Sequence, residues 1–319
     1  MEEKYLLEIC DPKQWKTIPK SQLLENGKFP VYGANGIIGR YNEYNHEKPT
    51  VLITCRGATC GNIHITVPNA YINGNAMALD NLNEIICKKE YLYYFLQHYD
   101  MSKIISGTAQ PQITITGLKK VKVKLYSINK QEEIVDGLNK INKLIELKEK
   151  QLKELQNLIK SQFVEMFGNI HFNDKKWNKN KWRDVLIIKN GKNQKKVESF
   201  NGKYPIYGSG GIIGFANDYI CNENSIIIGR KGSINKPILV KTKFWNVDTA
   251  FGLEPIKEKI KADYLYYFCC FYNFEKHNKA VTIPSLTKKD LLNIEISVPP
   301  ITLQNQFAEI VKQIDKQKF

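Results

Sequence analysis

The residues best suited to chemistry in this chain fall into short runs that each occur twice. Arg56-Gly57 and Arg230-Lys231-Gly232 put long cations beside a glycine. Such a turn suits contact with a phosphate or with the acceptor edge of guanine, and equally suits a loop charge solvated by water. The polar runs Ser106-Gly-Thr-Ala-Gln-Pro-Gln112 and Lys279-Ala-Val-Thr-Ile-Pro-Ser285 carry Thr108, Gln110, Gln112, Thr282 and Ser285, with Lys103 and Lys279 alongside. Side chains of these types hydrogen-bond base edges; turn structure alone is the competing reading. Arg40, directly after a glycine-rich run, completes the candidate set for contact with nucleic acid.

That glycine-rich run is itself duplicated, with Gly33, Gly36 and Gly39 in FPVYGANGIIGRYN and Gly208, Gly211 and Gly214 in YPIYGSGGIIGFAN. A nucleotide-binding fingerprint fails, because the G-x-G-x-x-G register is missing and no helical pattern follows. A KH-type clamp on single strands joins two helices, whereas these glycines sit among strand formers with no basic residue between them. The Gly36–Gly39 and Gly211–Gly214 spellings therefore read as framework turns, with backbone contact to DNA as the functional alternative. Catalysis finds no support: G-x-S-x-G, P-loop, H-E-x-x-H, the Asn/Asp-Pro-Pro-aromatic motif of base methylation and an Asp…Glu-x-Lys nuclease set are all missing. The seven cysteines form no C-x-x-C pair and the five histidines are scattered, so reduced thiols and no metal site are expected.

These runs belong to a long internal repeat. The glycine runs match at an offset of 175, as do VLITCRG (51–57) and IIIGRKG (226–232). YLYYF at 91–95 returns unchanged at 264–268, AQPQITITGLKKVKV (109–123) aligns with TIPSLTKKDLLNIEI (282–296), and Gln131 falls on Gln304, all at an offset of 173. Five segments in one order make two copies of a domain, far longer than a solenoid repeat. Within a copy the glycine run reads as strand, tight turn, strand, and Val51–Thr54 and Ile226–Ile228 as buried strands. Glu90–Asp100 and Asp263–Phe274 have aromatics at helical spacing, which makes YLYYF core rather than a base-stacking platform. Leu118–Leu125 and Leu291–Val298 alternate as strands. The fold class is α+β.

Between the copies lies a long helix. From Gln131 to Phe167, Ile134, Leu138, Ile141, Ile145, Leu152, Leu155, Ile159 and Met166 recur at spacings of 3 and 4, with Lys148 and Gln162 interrupting the seam. This is a heptad pattern, expected to form a coiled-coil-like rod about 55 Å long, ended by Gly168. The second copy is followed by a helix that starts alike, with Phe307, Val311 and Ile314, and Phe319 aligns with Glu146. That C-terminal helix is therefore expected to be short relative to the central one.

Bulk properties agree with a nucleic-acid binder. A net charge of +15 attracts polyanions by neutralising phosphates, although an AT-rich genome also enriches Lys and Asn. An apolar share of 42% suffices for cores. With no apolar run of membrane-spanning length and no signal-peptide pattern at the N-terminus, the cytoplasm is the expected location and no membrane contact is expected.

Taken together, VYGANGIIG and IYGSGGIIG, the polar run before the last strand, the P-x-x-x-Q entry to the helix (Pro300…Gln304) and LIKSQFVEMFG at 158–168 resemble the specificity (S) subunits of type I restriction–modification systems. The resemblance covers essentially the whole chain, twice. It implies a non-catalytic subunit with two tandem, similar target-recognition domains at 1–127 and 168–299, a central spacer helix at 128–167 and a short C-terminal helix at 300–319. It further implies that each domain reads one half of a bipartite site in double-stranded DNA, the two halves differing, and that the helices set the spacing. The implied partners are methyltransferase (M) subunits and, optionally, a restriction (R) subunit, with S-adenosylmethionine and ATP bound by those partners and no cofactor here. The chain departs from the family in its short second helix. The seam from about Leu147 to Met166 is expected to need cover from methyltransferase helices or a second S chain, unless the gene product is truncated.

Overall fold

The computed structural model describes residues 2–107, 110–278 and 283–318. The chain divides into two compact units, Met1–Leu147 and Lys148–Phe319. In unit 1, strands β1 (Glu2–Tyr5), β2 (Asp11–Gln14), β3 (Phe29–Gly33), β4 (Gly36–Tyr41), β5 (Val51–Thr54), β6 (Ile63–Ile65), β7 (Tyr71–Ile72) and β8 (Ala76–Asp80) precede helix α1 (Lys89–His98). Then come β9 (Ile105–Ser106), β10 (Gln112–Ile113), the single turn of α2 (Ile115–Leu118), β11 (Lys122–Leu125) and the start of α3 (Ile128–Phe167). One sheet runs β2-β8-β5-β6, a second β4-β3-β7, and β1 pairs with β11.

Unit 2 repeats this plan with β12 (Asn178–Lys181), α4 (Trp182–Val185), β13 (Leu186–Asn190), β14 (Tyr204–Gly208), β15 (Gly211–Ala216), β16 (Ser225–Gly229), β17 (Ile238–Val240), β18 (Trp245–Asn246) and β19 (Ala250–Pro255). Helices α5 (Ala262–Phe271) and α6 (Lys288–Leu291), strand β20 (Glu295–Val298) and helix α7 (Ile301–Lys316) follow. Its sheets run β13-β19-β16-β17, β15-β14-β18 and β12-β20, the same positions in the same order. The sequence repeat is thus a repeat of fold, mixed α and β, with the long helix α3 after the first copy and α7 after the second.

Central strands β5 and β16 are buried along their whole length, which is why their sequences do not alternate. Tyr91, Leu92 and Tyr94 on α1, and Tyr264, Leu265 and Phe268 on α5, are core residues. Two readings of the sequence need correction. The stretches 118–125 and 291–298 are strand only in their second halves, because Thr114 and Thr287 cap helical turns by accepting from the amides of Gly117 and Asp290. Helix α5 stops at Phe271 rather than Phe274, and the Asn273 side chain then caps a separate short turn.

Each long helix is bolted down at its first turn by a buried glutamine. Gln131 accepts from the Lys88 amide (2.9 Å) and donates to the carbonyls of Ile86 (2.8 Å) and Tyr126 (2.9 Å). Gln304 does the same in unit 2, accepting from the Lys261 amide (2.8 Å) and donating to the carbonyls of Pro299 (2.8 Å) and Lys259 (3.3 Å). The Tyr91 and Tyr264 hydroxyls tie the aromatic helices to the carbonyls of Lys124 and Ser297 on the last strands.

Helix α3 spans 40 residues and ends where expected, with Gly168 at φ +81 donating to the Val164 carbonyl. Its seam is not a uniform heptad. Ile134 and Leu138 pack on the unit 1 core. Ile141 and Ile145 are more than half exposed, and Leu152 is half-buried. From Leu155 onward the buried face is Leu155, Ile159, Phe163 and Phe167, together with Phe307, Val311 and Ile314 of α7, all within the unit 2 core. The spacing of four throughout brings Phe163 inward where the heptad pointed to Gln162. This half of α3 is a helix lying on a globule, because the Phe163 ring packs among the rings of Tyr264, Tyr267 and Phe271 on α5 and Phe307 on α7.

Replacing Gln304 by Ala leaves the Lys261 amide and the Pro299 carbonyl without their partner. The expected cost is on the order of 2–3 kcal/mol, read as a lower urea midpoint; an unchanged midpoint would show the bolt to be dispensable.

Candidate nucleic-acid interface

In each unit the fold joins the basic turn to the polar run by backbone pairing. In unit 1, Arg56 and Gln112 form an antiparallel bridge, and the Ile113 amide donates to the Cys55 carbonyl at 3.0 Å. In unit 2, Lys231 bridges Ser285, the Leu286 amide donates to the Arg230 carbonyl at 2.9 Å, and the Gly232 amide donates to the Pro284 carbonyl at 3.0 Å. The repeat places Arg56 on Lys231 and Gln112 on Ser285, so one clasp has been built twice with different side chains. Both turns need a residue in the left-handed region, supplied by Gly57 (φ +94) and Gly232 (φ +81). A Cβ on Gly57 would meet nothing within 4 Å, so the demand there is conformational, not steric.

The glycine hairpin belongs to the same neighbourhood. The Ala34 carbonyl at its tip accepts from the hydroxyls of Thr54 (2.8 Å) and Thr59 (2.6 Å), which flank Arg56. The tight turn is Ala34-Asn35 between Gly33 and Gly36, and Ser209-Gly210 between Gly208 and Gly211. Gly39 and Gly214 lie inside strands and are not turn residues. Each ladder shifts register after Val31 or Ile206, a bulge that makes room for one extra residue. It leaves Ile37 (58%), Ile38 (39%), Ile212 (56%) and Ile213 (54%) exposed. Sequence reasoning passed over these isoleucines. The available signal was two adjacent apolar residues between glycines in a strand, only one of which can face a core.

The other predicted residues fall out as follows. Arg56 and Lys231 are exposed, and neither has an ion-pair or side-chain hydrogen-bond partner among the described residues. Gln110 and Gln112 are exposed and Ser285 is half-buried, with the Ser285 amide held by the Asn278 side chain. Arg230 sits over the Phe251 ring, 5.9 Å from its centroid, with a long contact of 3.4 Å to the Asp248 carbonyl. Arg40 is a local strap instead, donating to the carbonyls of Gly27 (2.6 Å) and Lys28 (2.7 Å). Lys103 pairs loosely with Asp100 at 3.8 Å. Thr108, Lys279 and Thr282 lie outside the described residues.

Among the described residues no group of three or more His, Cys, Asp or Glu side chains is placed to hold a metal ion, and the seven cysteines are unpaired. Burial pushes the Cys10, Cys87 and Cys221 thiols up to about 12 and holds Cys269 well above the usual range. No helix among the described residues is long and apolar enough to cross a membrane.

Residues 1–157 and 174–319 match the family described as the type I restriction modification DNA specificity domain. A putative type I specificity subunit of Mycoplasma pneumoniae is 27% identical over 168 residues, covering 48% of this chain and 55% of the relative. A type I restriction enzyme specificity subunit of Methanocaldococcus jannaschii is 26% identical, covering 70% and 62% respectively. This chain thus spans under two thirds of the length of both. A putative specificity subunit of Haemophilus influenzae is 23% identical over 93% of this chain and 82% of its own length. Among solved structures, an S subunit of a type I restriction–modification system from M. genitalium superposes with a TM-score of 0.71 at 19% identity, covering 99% of this chain and 90% of that one.

Two outcomes test the local picture. Gly57→Ala forces an L side chain to a positive φ and should cost about 1–2 kcal/mol, visible in the denaturation midpoint, with Gly57→Asn milder. Iodoacetamide at pH 8 should leave Cys10, Cys87, Cys221 and Cys269 unmodified until denaturant is added, since raised thiol pKa values keep the reactive thiolate scarce below pH 9; rapid labelling of the native chain would contradict this.

Proposed function

This chain belongs to the type I restriction modification DNA specificity family, and from that premise we propose that it reads a bipartite site in duplex DNA without doing chemistry itself. Each unit contacts one half-site through its clasp, and the α3 helix between the units sets the spacing and the rotational phase of the two contacts. The observation that carries this reading is the repeated clasp, which presents an exposed cation, Arg56 or Lys231, beside a polar run, with a hairpin of the same unit exposing two isoleucines. The cation suits phosphate or guanine, Gln112 and Ser285 suit base edges, and the isoleucines suit thymine methyl groups. Because the side chains on the two clasps differ, the half-sites they read differ. The chain positions methyltransferase subunits, and in a cleaving complex a restriction subunit. S-adenosylmethionine and ATP are held by those partners, and the assembly works in the cytoplasm, where the chromosome lies.

Methylome sequencing of a host with and without the gene supplies the target motif. On that target, the complex with its methyltransferase should lose about tenfold or more in affinity when the spacer between half-sites is changed by one base pair; indifference to spacing removes the ruler. Lys231→Gln should weaken binding and reduce the slope of log K against log salt by about one, whereas an unchanged slope removes Lys231 from the phosphate contacts.

A further inference from the structure

Unit 2 holds the Phe163 ring in an aromatic socket. Its centroid lies 5.4 Å from Tyr264, 6.4 Å from Tyr267, 5.2 Å from Phe271 and 5.5 Å from Phe307. The repeat offset of 173 maps these four positions onto Tyr91, Tyr94, His98 and Ile134 of unit 1. There the same four residues, with Tyr126 and Leu138, line a cavity of about 490 Å3 open to solvent. The difference shows in exposure: Phe307 and Val311 are buried while their counterparts Ile134 and Leu138 are only half-buried. The neighbouring ring of unit 2, Phe167, packs edge-on against Tyr264 at 4.8 Å. In unit 1 the Tyr126 ring takes a comparable edge-on place against Tyr91 at 6.4 Å. The part of the cavity bounded by Tyr91, Tyr94, His98 and Ile134 thus corresponds to the Phe163 position, and Tyr99, Asp100 and Lys103 extend the lining beyond it.

We propose that this cavity of unit 1 docks a helix of a partner protein that presents a phenylalanine one turn after an aliphatic residue, as Phe163 follows Ile159 in unit 2. The occupant's chemistry is read from the chain's own second copy of the socket, where a helix with that pattern is seated. A second copy of this chain does not offer the plug, because its Phe163 and Ile159 are fully buried in its own unit 2. Nucleic acid does not match a lining in which rings and aliphatic side chains predominate and the lysine, Lys103, is paired with Asp100 of the same lining. Two lining positions of unit 1 depart from the rings of unit 2, Ile134 in place of Phe307 and His98 in place of Phe271. Ile134 packs on the core, whereas His98 is exposed, so it adjusts the socket without disturbing the core.

The probe is a labelled synthetic peptide of residues 152–168 held helical by a lactam staple on its polar face, titrated into the full chain by fluorescence anisotropy in the absence of DNA. Saturable binding is expected, weakened about tenfold or more when the peptide carries Phe163→Ala. In the chain, His98→Glu should weaken binding and His98→Phe tighten it, with circular dichroism and melting temperature unchanged. No saturable binding, equal binding of the alanine peptide, or binding that neither His98 variant changes would each overturn the proposal. Since no DNA enters the measurement, its failure leaves the reading of the clasps standing, and loss of DNA binding leaves the socket standing.

Discussion

The carboxamides of Gln131 and Gln304 are the points at which each unit's aromatic helix, last strand and long helix are held to one another. The amide oxygen takes the N–H at the start of α1 or α5, and the amide nitrogen reaches two carbonyls of the connecting loops. A buried group that both accepts and donates at this length is met only by glutamine: glutamate lacks the donors, and an apolar residue leaves three backbone groups without water or partner. Beside this joint the tyrosine hydroxyl of the aromatic helix holds the last strand, and the buried strand β5 or β16 lies at the centre of each unit's larger sheet.

The proposed recognition surface follows from that frame by backbone alone. The clasp between residues 55–57 and 112–113, and its copy at 230–232 and 284–286, is made of main-chain hydrogen bonds and a left-handed glycine, so the side chains it carries are free to vary. Arginine with glutamine in one unit and lysine with serine in the other are two settings of one device. A frame that asks nothing of these side chains lets two copies share a fold and carry different side chains. The exposed isoleucines are the opposite case, being the same in both copies, and so suit a feature common to both contacts.

Much of this was legible in the residues, for identifiable reasons. The repeat, the aromatic helices and the long helix are written in local periodicity, and local periodicity is what a single sequence carries. The basic turns and the polar runs were also visible as candidates. What sequence could not supply was their juxtaposition: Arg56 and Gln112 are brought together by the sheet, and nothing in either run names the other. Arg40 shows the converse, a cation in a promising position whose donors are taken up by two nearby carbonyls. The seam of α3 failed where it met the globule. A heptad count weighs Gln162 and Phe163 by position only, while the ring finds Tyr264 and Phe307 through tertiary contact.

The bulge in the glycine hairpin has a further bearing on how such a chain stays dispersed in a crowded cell. Strands β4 and β15 are edges of their sheets, and among the described residues their outer sides are bridged by Leu24 and Glu198 only at the base. An unpaired edge bearing adjacent isoleucines is the pattern that seeds strand-to-strand stacking and fibrous precipitates. The extra residue breaks the regular spacing of free N–H and C=O groups just where the isoleucines stand, and the flanking glycines let the strand twist away from flatness. An incoming strand finds no continuous ladder to extend, so apolar tips can remain uncovered without templating their own aggregation.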